Sequence, residues 1–287
     1  MLSHINKESR GLIVSIGAGR NQIPLIREAK NAGFHVLGVD QYSAAPGLSL
    51  CDLKVQESIL NYEEIFNKIQ EFLFDGKIRG ALTRSYGDAV RTTSYINEFL
   101  KVPYIPSNRI DDLIDKNRMK AVLQQNGIPT PDFMKINSTS QIKKYPVVLK
   151  PLVGHAKSGV AFIENSKEAE EYLKKQSDKT SILCERYIHG NEIIVLGIAN
   201  KGKYRIFDIT DKLTTPLPYF VDIQHSAPSR YMERWDELEK IGQRITESFG
   251  INTSPVVMEI RFDRDENPFV IEVVPEFGGE YLADTLL

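Results

Sequence analysis

Along the first hundred positions, apolar residues fall in short runs that alternate with stretches of helical spacing. Residues 11–16 read as a strand, a glycine turn follows, and residues 23–32 are amphipathic with a helical period. A second strand over 34–39 ends at Asp40; 62–74 has helical spacing, 80–83 reads as a third strand and 89–100 as another helix. Strands separated by helices of this length predict a parallel, doubly wound α/β sheet of Rossmann-like type.

The pattern changes after residue 100. Pro103 and Pro106 interrupt it, and the charged segment 110–125 reads as helical with a stop at Gly127. A domain boundary is expected there, dividing the chain into 1–107 and 108–287. Ile128-Pro129-Thr130-Pro131 reads as a rigid extended connector, because each proline fixes its own φ and biases the preceding residue toward extended geometry. From Tyr145 onward, strand-like runs pair around glycine turns: 147–150, 160–163, 181–187, 192–198, 204–209, 256–262 and 269–274. Helices over 167–175 and 234–249 interrupt them, so the second region is expected to be α+β with antiparallel sheets.

Composition narrows the function classes. With 287 residues, 41% hydrophobic and 26% charged, the chain has the make-up of a two-domain globular protein. Its 36 basic and 38 acidic residues leave a net charge of -2, which removes any general electrostatic basis for a nucleic-acid or anionic-membrane partner. Cys51 and Cys184 are far apart and form no CxxC pair, which argues against a disulfide framework or zinc site and fits a reducing, cytoplasmic setting. The first ten residues lack a signal-peptide apolar run, and no later stretch approaches the ~20 apolar residues that span a bilayer.

Gly17-Ala18-Gly19-Arg20-Asn21-Gln22 follows a strand and precedes a helix, with Asp40 closing the next strand, which is the placement of a dinucleotide fingerprint. Gln22 stands where the third glycine belongs. The motif therefore reads first as a structural strand-to-helix turn, with a nicotinamide-dependent oxidoreductase as the rival.

Three later segments carry more chemistry. Tyr145-Pro146-Val147-Val148-Leu149-Lys150-Pro151 places a lysine at the end of an apolar strand, just before the small-residue segment Gly154-His155-Ala156-Lys157-Ser158-Gly159. A lysine point charge beside backbone N–H groups unobstructed by side chains suits phosphate; a snorkelling lysine beside a hairpin is the alternative. Cys184-Glu185-Arg186-Tyr187-Ile188-His189-Gly190-Asn191-Glu192 ends an apolar strand with acidic groups on both sides of a glycine turn. Its backbone could read the edge of adenine and a carboxylate could take ribose hydroxyls; by itself it is equally a charged hairpin. Glu259 and Glu272 lie thirteen positions apart on two strands joined by the turn 263–268. Two carboxylates facing one side of a hairpin repel unless a cation lies between them, and hard oxygen ligands beside phosphates suit Mg²⁺. Alternatively both face solvent on amphipathic strands.

In order and spacing, Asp115-Lys116, the strand ending at Lys150, the small-residue loop, the Glu185-to-Glu192 linker, Glu259 and Glu272 together resemble the ATP-grasp superfamily from about residue 110 to the end. The first third resembles the Rossmann-like domain that usually precedes it. The resemblance implies an ATP-grasp fold of two antiparallel-sheet subdomains, a small lid over about 130–187 and a larger one over about 188–287. It implies that Lys116 and Lys150 contact the α- and β-phosphates of ATP while Gly154, Ser158 and Gly159 close over the nucleotide. Glu185, Arg186 and Ile188 would line the adenine pocket, and Glu192 would hold the ribose. Glu259 and Glu272 would ligate Mg²⁺, with Mn²⁺ as the alternative metal. Lys212 resembles the family's basic residue near the γ-phosphate.

The chain departs from the family where an asparagine and an arginine usually follow the second metal-binding glutamate; here Val274 and Glu276 stand instead. Glu276 is then a candidate substitute ligand, and the missing positive charge would come from Lys212, His225 or Arg261. The implied reaction phosphorylates a carboxylate with ATP and joins the acyl phosphate to an amine, a carbon–nitrogen ligase reaction releasing ADP and phosphate. Its partners would be a small-molecule carboxylate and amine, with selection of the acceptor assigned to 213–230 and a homodimer as the expected assembly. The alternatives are a carboxylase or carbamoyl-phosphate-type enzyme acting on bicarbonate, and an ATP-binding module without turnover. The sequence stops inside what reads as a starting helix after Phe277-Gly278-Gly279, so a chain cut short of its natural end is expected.

Overall fold

Four parallel strands form the first sheet of the computed structural model, which describes residues 10–70, 78–154, 158–176, 182–277 and 282–286. They are β1 (Leu12–Ile16), β2 (His35–Asp40), β3 (Leu53–Gln56) and β4 (Ile78–Leu82), in the order β3-β2-β1-β4. The helices α1 (Ile23–Asn31), α2 (Tyr62–Ile69) and α3 (Asp88–Phe99) follow β1, β3 and β4. Leu12, Val14 and Ile16 of β1 pack with Leu37, Val39, Ile65, Ile69 and Ile96, because alternate strand positions point to one face and meet the apolar stripes of the helices. This is the doubly wound sheet the alternating pattern predicts. Strand β3 was not anticipated: it has only two apolar residues, Leu53 and Val55, and exists through its pairing with β2 (Leu37 opposite Leu53). The helical spacing expected over 71–74 lies outside the described residues.

The glycine turn after β1 serves the fold. Gly17 takes φ +95°, a conformation that favours glycine, and the Ala18 N–H donates to Asp40 Oδ2 at 2.9 Å. Gln22 is buried and ties this turn to the end of β4: its Oε1 accepts from the Arg84 N–H at 2.9 Å and its Nε2 donates to Ser85 Oγ at 2.9 Å. The turn is thus tied to the ends of β2 and β4 by the protein's own hydrogen bonds.

The chain divides into two compact units, the first comprising Met1–Ile110, Asn252–Ser254 and Pro275–Leu287, the second Asp111–Ile251 and Pro255–Val274. The sequence predicts a single helix over 110–125; instead α4 (Ile110–Ile114) and α5 (Lys116–Gln125) are separated at Asp115. Asp115 is extended and its side chain accepts from the Arg118 N–H at 2.9 Å, which caps a new helix and makes Lys116 its first residue.

In the second unit β5 (Phe133–Ile136), β6 (Val147–Pro151), β7 (Ala161–Ile163) and β8 (Ile182–Arg186) form an antiparallel sheet, order β5-β8-β6-β7, covered by α6 (Ser166–Lys175). Its core is Leu149, Ile163, Tyr172, Leu173, Ile182 and neighbours. The remaining elements are β9 (Glu192–Asn200), β10 (Lys203–Thr214), β11 (Asp222–Ser226), α7 (Trp235–Ser248), β12 (Ser254–Pro255), β13 (Val257–Phe262), β14 (Pro268–Val274) and, in the first unit, α8 (Leu282–Leu286). A third, antiparallel sheet runs β11-β10-β9-β13-β14. Helix α7 closes on it around Tyr204, which is wholly buried and donates to the Val256 carbonyl at 3.2 Å. The antiparallel α+β character expected of this region is present, with two additional strands, β5 too short at four residues and β11 too polar to stand out in the sequence.

Candidate functional site

Strand register fixes the site in the third sheet. Lys212 on β10 and Arg261 on β13 are the cross-strand partners of Glu192 on β9, so the three form a row with the carboxylate between two cations. Lys212 Nζ lies 2.9 Å from Glu192 Oε1, and Arg261 Nη2 lies 2.9 Å from Glu192 Oε2. Lys212 also reaches Glu259 Oε1 at 3.3 Å and Asp222 Oδ1 at 3.6 Å. Burial disfavours its charge, but the carboxylates of Glu259, Glu192 and Asp222 outweigh burial and raise its pKa. The Arg261 guanidinium lies over the rings of Tyr187 (5.1 Å) and Phe220 (5.9 Å), and its Nη1 donates to the Ile188 carbonyl at 3.3 Å.

A second set of lysines converges from the other elements of the unit. Lys116, at the start of α5, lies 2.7 Å from Glu272 Oε1 and donates to the Gly154 carbonyl at 3.0 Å. Its own N–H donates to the Leu152 carbonyl at 2.9 Å, which ties the segment after β6 to the helix. Lys150, at the end of β6, is buried with its Nζ 2.8 Å from Glu185 Oε1. Burial opposes its charge, yet Glu185, Glu272 and Glu259 raise its pKa. Burial likewise pushes the Glu272 carboxyl up, and the Lys116 and Lys150 charges prevail and hold it below the usual range. Glu259 and Glu272 are themselves direct register partners on β13 and β14. Lys116, Lys150, Glu185, Glu192, Lys212, Glu259, Arg261 and Glu272 thus form one connected electrostatic cluster.

Other residues singled out in the sequence stand differently. Gly154 is at the cluster through its carbonyl, whereas Ser158 and Gly159 are exposed, and the Gly159 carbonyl accepts from Tyr172 Oη at 2.6 Å. His155, Ala156 and Lys157 lie outside the described residues. Arg186 is exposed, 3.6 Å from Asp132 and 5.1 Å from the Phe269 ring centre. Ile188 is buried and contributes its carbonyl to Arg261. His225 is the register partner of Lys212 on β11. Glu276 belongs to the first unit, where burial, aided by its charge, pushes the Tyr104 hydroxyl up to about 12.

Sequence reasoning missed Lys120, Asp222, Tyr187 and Phe220. Lys120 is one helical turn beyond Lys116 and so shares its face, a signal that was available. Asp222 carried no signal, because the strand that holds it has only one large apolar residue among five.

Among the described residues, no group of three or more His, Cys, Asp or Glu gathers as a metal cage. The facing pair Glu259 and Glu272 supplies two hard oxygen donors, which fits a divalent ion of the magnesium type completed by phosphate oxygens and water. A cleft of about 790 Å³ elsewhere on the second unit, between α7 and the β13–β14 turn, is lined by none of the clustered residues. Among the described residues no helix is long and apolar enough to cross a membrane.

Residues 143–284 match the family described as the ATP-grasp domain. The chain is 31% identical over 123 residues to the D-alanine--D-alanine ligase A of Bacillus cereus, covering 39% of this chain and 40% of that enzyme. It spans less than half the length of the first curated relatives it matches. In three dimensions it is similar to the L-amino acid ligase of Bacillus licheniformis, with a TM-score of 0.80, 26% identity, and 97% of this chain and 70% of that one covered. The N5-carboxyaminoimidazole synthetase of Staphylococcus aureus, solved with ADP, shares the fold at a TM-score of 0.80 and 16% identity, covering 96% of this chain and 74% of that one. With the sheet topology and these likenesses together, residues 143–284 belong to the ATP-grasp family and the chain has the ATP-grasp fold.

Proposed function

We propose that this protein uses Mg-ATP to phosphorylate a small carboxylate and joins the resulting acyl phosphate to an amine. The observation that carries the reading is the pairing of Lys116 with Glu272, of Lys212 with Glu259, and of Lys150 with Glu185 in one cluster. In the structure these charges neutralise each other. A nucleotide triphosphate brings anions for the lysines, and its magnesium brings a cation for the carboxylates, so both sets exchange partners together.

In this reading Lys116 and Lys150 bind the α- and β-phosphates, and the backbone of Gly154, Ser158 and Gly159 covers them. Glu185, Arg186 and Ile188 border the adenine, and Glu192, oriented by Arg261, takes the ribose hydroxyls. Glu259 and Glu272 would hold magnesium, which would screen the charge on the phosphate oxygens. Lys212, kept protonated by its acidic neighbours, faces the γ-phosphate and balances charge as a substrate carboxylate oxygen attacks phosphorus and ADP leaves. The amine then adds to the acyl carbon, loses a proton and expels phosphate. Exclusion of water protects the mixed anhydride in the interval. Glu276 has no part in this scheme.

The family likenesses support the coarse chemistry: relatives named as ligases of D-alanine and of L-amino acids join a carboxylate to an amine. An ADP-release assay over a matrix of carboxylates and amines, with bicarbonate among the acids, tests the reading. ADP that accumulates only with a matched acid and amine supports it. Production of AMP and diphosphate rejects it, turnover with bicarbonate alone favours a carboxylase, and nucleotide binding without turnover favours a binding module.

A further inference from the structure

Lys120 has no role in the scheme above, yet it is wholly excluded from solvent. Its Nζ lies 3.2 Å from Glu185 Oε1, the same oxygen that Lys150 approaches to 2.8 Å. The ammonium also donates to Thr130 Oγ1 at 3.0 Å and to the Val270 carbonyl at 3.4 Å, and Thr130 Oγ1 in turn donates to that carbonyl at 2.9 Å. Lys120 is therefore fixed from three directions: β8, the connector after α5, and β14. Lys150 differs: its ion-pair partner among the described residues is Glu185.

Two buried lysines thus share one buried carboxylate. If Lys150 is to swing to a phosphate, it leaves a carboxylate that is only 3% exposed. An ion stranded in that environment without a counter-charge is strongly unfavourable, so a lone Lys150–Glu185 pair would resist separation. A second cation already in contact with Glu185 removes that penalty. We propose that Lys120 is a positioning residue that retains the Glu185 carboxylate and so releases Lys150 to the nucleotide. The crowding of the two ammonium groups points the same way: burial, joined by the Lys150 charge, pushes the Lys120 ammonium down to about 8 despite Glu185. Transfer of Lys150 to a phosphate relieves that repulsion.

This inference rests on the ATP reading, and equilibrium binding of Mg-ADP separates the two. Calorimetry would compare the wild-type chain with Lys120→Met, Glu185→Gln and the double variant Lys120→Met/Glu185→Gln, each checked for folding by thermal denaturation. Lys120→Met is expected to bind about tenfold more weakly, because Lys150 is now held by an otherwise unpaired carboxylate. In the double variant nothing holds Lys150, so its affinity is expected to match that of Glu185→Gln alone within about threefold. A Lys120→Met affinity equal to wild type overturns the inference, as does a double variant about tenfold weaker than Glu185→Gln. Should Lys120→Met not fold, the comparison of Glu185→Gln with the double variant decides. A wild-type chain that binds no Mg-ADP overturns the ATP reading, and this inference with it.

Discussion

Glu259 and Glu272 stand directly opposite each other on adjacent antiparallel strands, and each is held by a different lysine, Lys212 at 3.3 Å and Lys116 at 2.7 Å. Facing carboxylates repel, and here the protein supplies the cations that relieve the repulsion. Magnesium that binds these carboxylates without a nucleotide must displace those lysines. Titration of Mg²⁺ alone is therefore expected to show binding no tighter than about 1 mM, with marked tightening once ADP is present. Tight magnesium binding without nucleotide would sink the idea that phosphate and metal exchange partners together.

Lys150 offers a more direct probe of the phosphate site. Substitution Lys150→Ala removes a buried cation but leaves Glu185 in contact with Lys120, so the unit should stay folded. Nucleotide affinity is expected to fall by about ten- to a hundredfold, the effect of losing one charge-assisted phosphate contact. Competition with a fluorescent ADP analogue would measure it; an unchanged affinity would remove Lys150 from the phosphate site. Lys157→Ala, in a loop expected to act through its backbone, should have the smaller effect.

The legible parts of this molecule are those where local pattern and long-range pairing agree. The β13–β14 hairpin could be read because a polar turn separates two apolar strands, and Asp263 organises that turn by accepting from the Asp265 and Asn267 N–H groups at 2.9 Å each. Lys150 could be read because it ends an apolar strand. For Lys120 the helical spacing from Lys116 gave its face but not its burial, since a lysine in a charged helix looks solvated until the connector and β14 cover it. Asp222 was hidden because β11 owes its existence to pairing with β10, not to its own composition. Glu276 is a candidate ligand only through its place in the family pattern after Glu272; Pro275, which precedes it, cannot donate to a strand ladder, and there the chain passes to the first unit.

Gly242 on α7 has a different kind of consequence. A Cβ added there would lie 2.0 Å from Tyr204 Cε1 and 2.4 Å from Cδ1, and Gly197 on β9 meets the same ring from its own side, at 2.2 Å from Oη. The ring fills the space between helix and sheet that the two glycines leave, and it is too firmly packed to step aside. Gly242→Ala is expected to destabilise the chain by about 1–3 kcal/mol, the usual effect of overpacking a core. Urea denaturation checks this, and adding Tyr204→Phe should not rescue it, because the clash is with the ring carbons.

The acid limb of stability should report on Glu272. Its carboxyl is held below the unfolded value of 4.5; burial works against the shift, and Lys116 and Lys150 overcome it. As pH falls, the unfolded chain takes up this proton first, so the stabilisation is complete above about 4.5 and is lost as pH passes through the lower folded value. Glu272→Gln keeps the shape and removes the charge. At pH 7, without magnesium or nucleotide, wild type is expected to exceed the variant by about 1.5–3 kcal/mol, the worth of a hydrogen bond to a charged group. The gap should narrow steadily below pH 4.5, down to the lowest pH at which both chains remain folded. A gap that stays constant through that window would mean that the Lys116–Glu272 contact at 2.7 Å does not stabilise the protein through its charge.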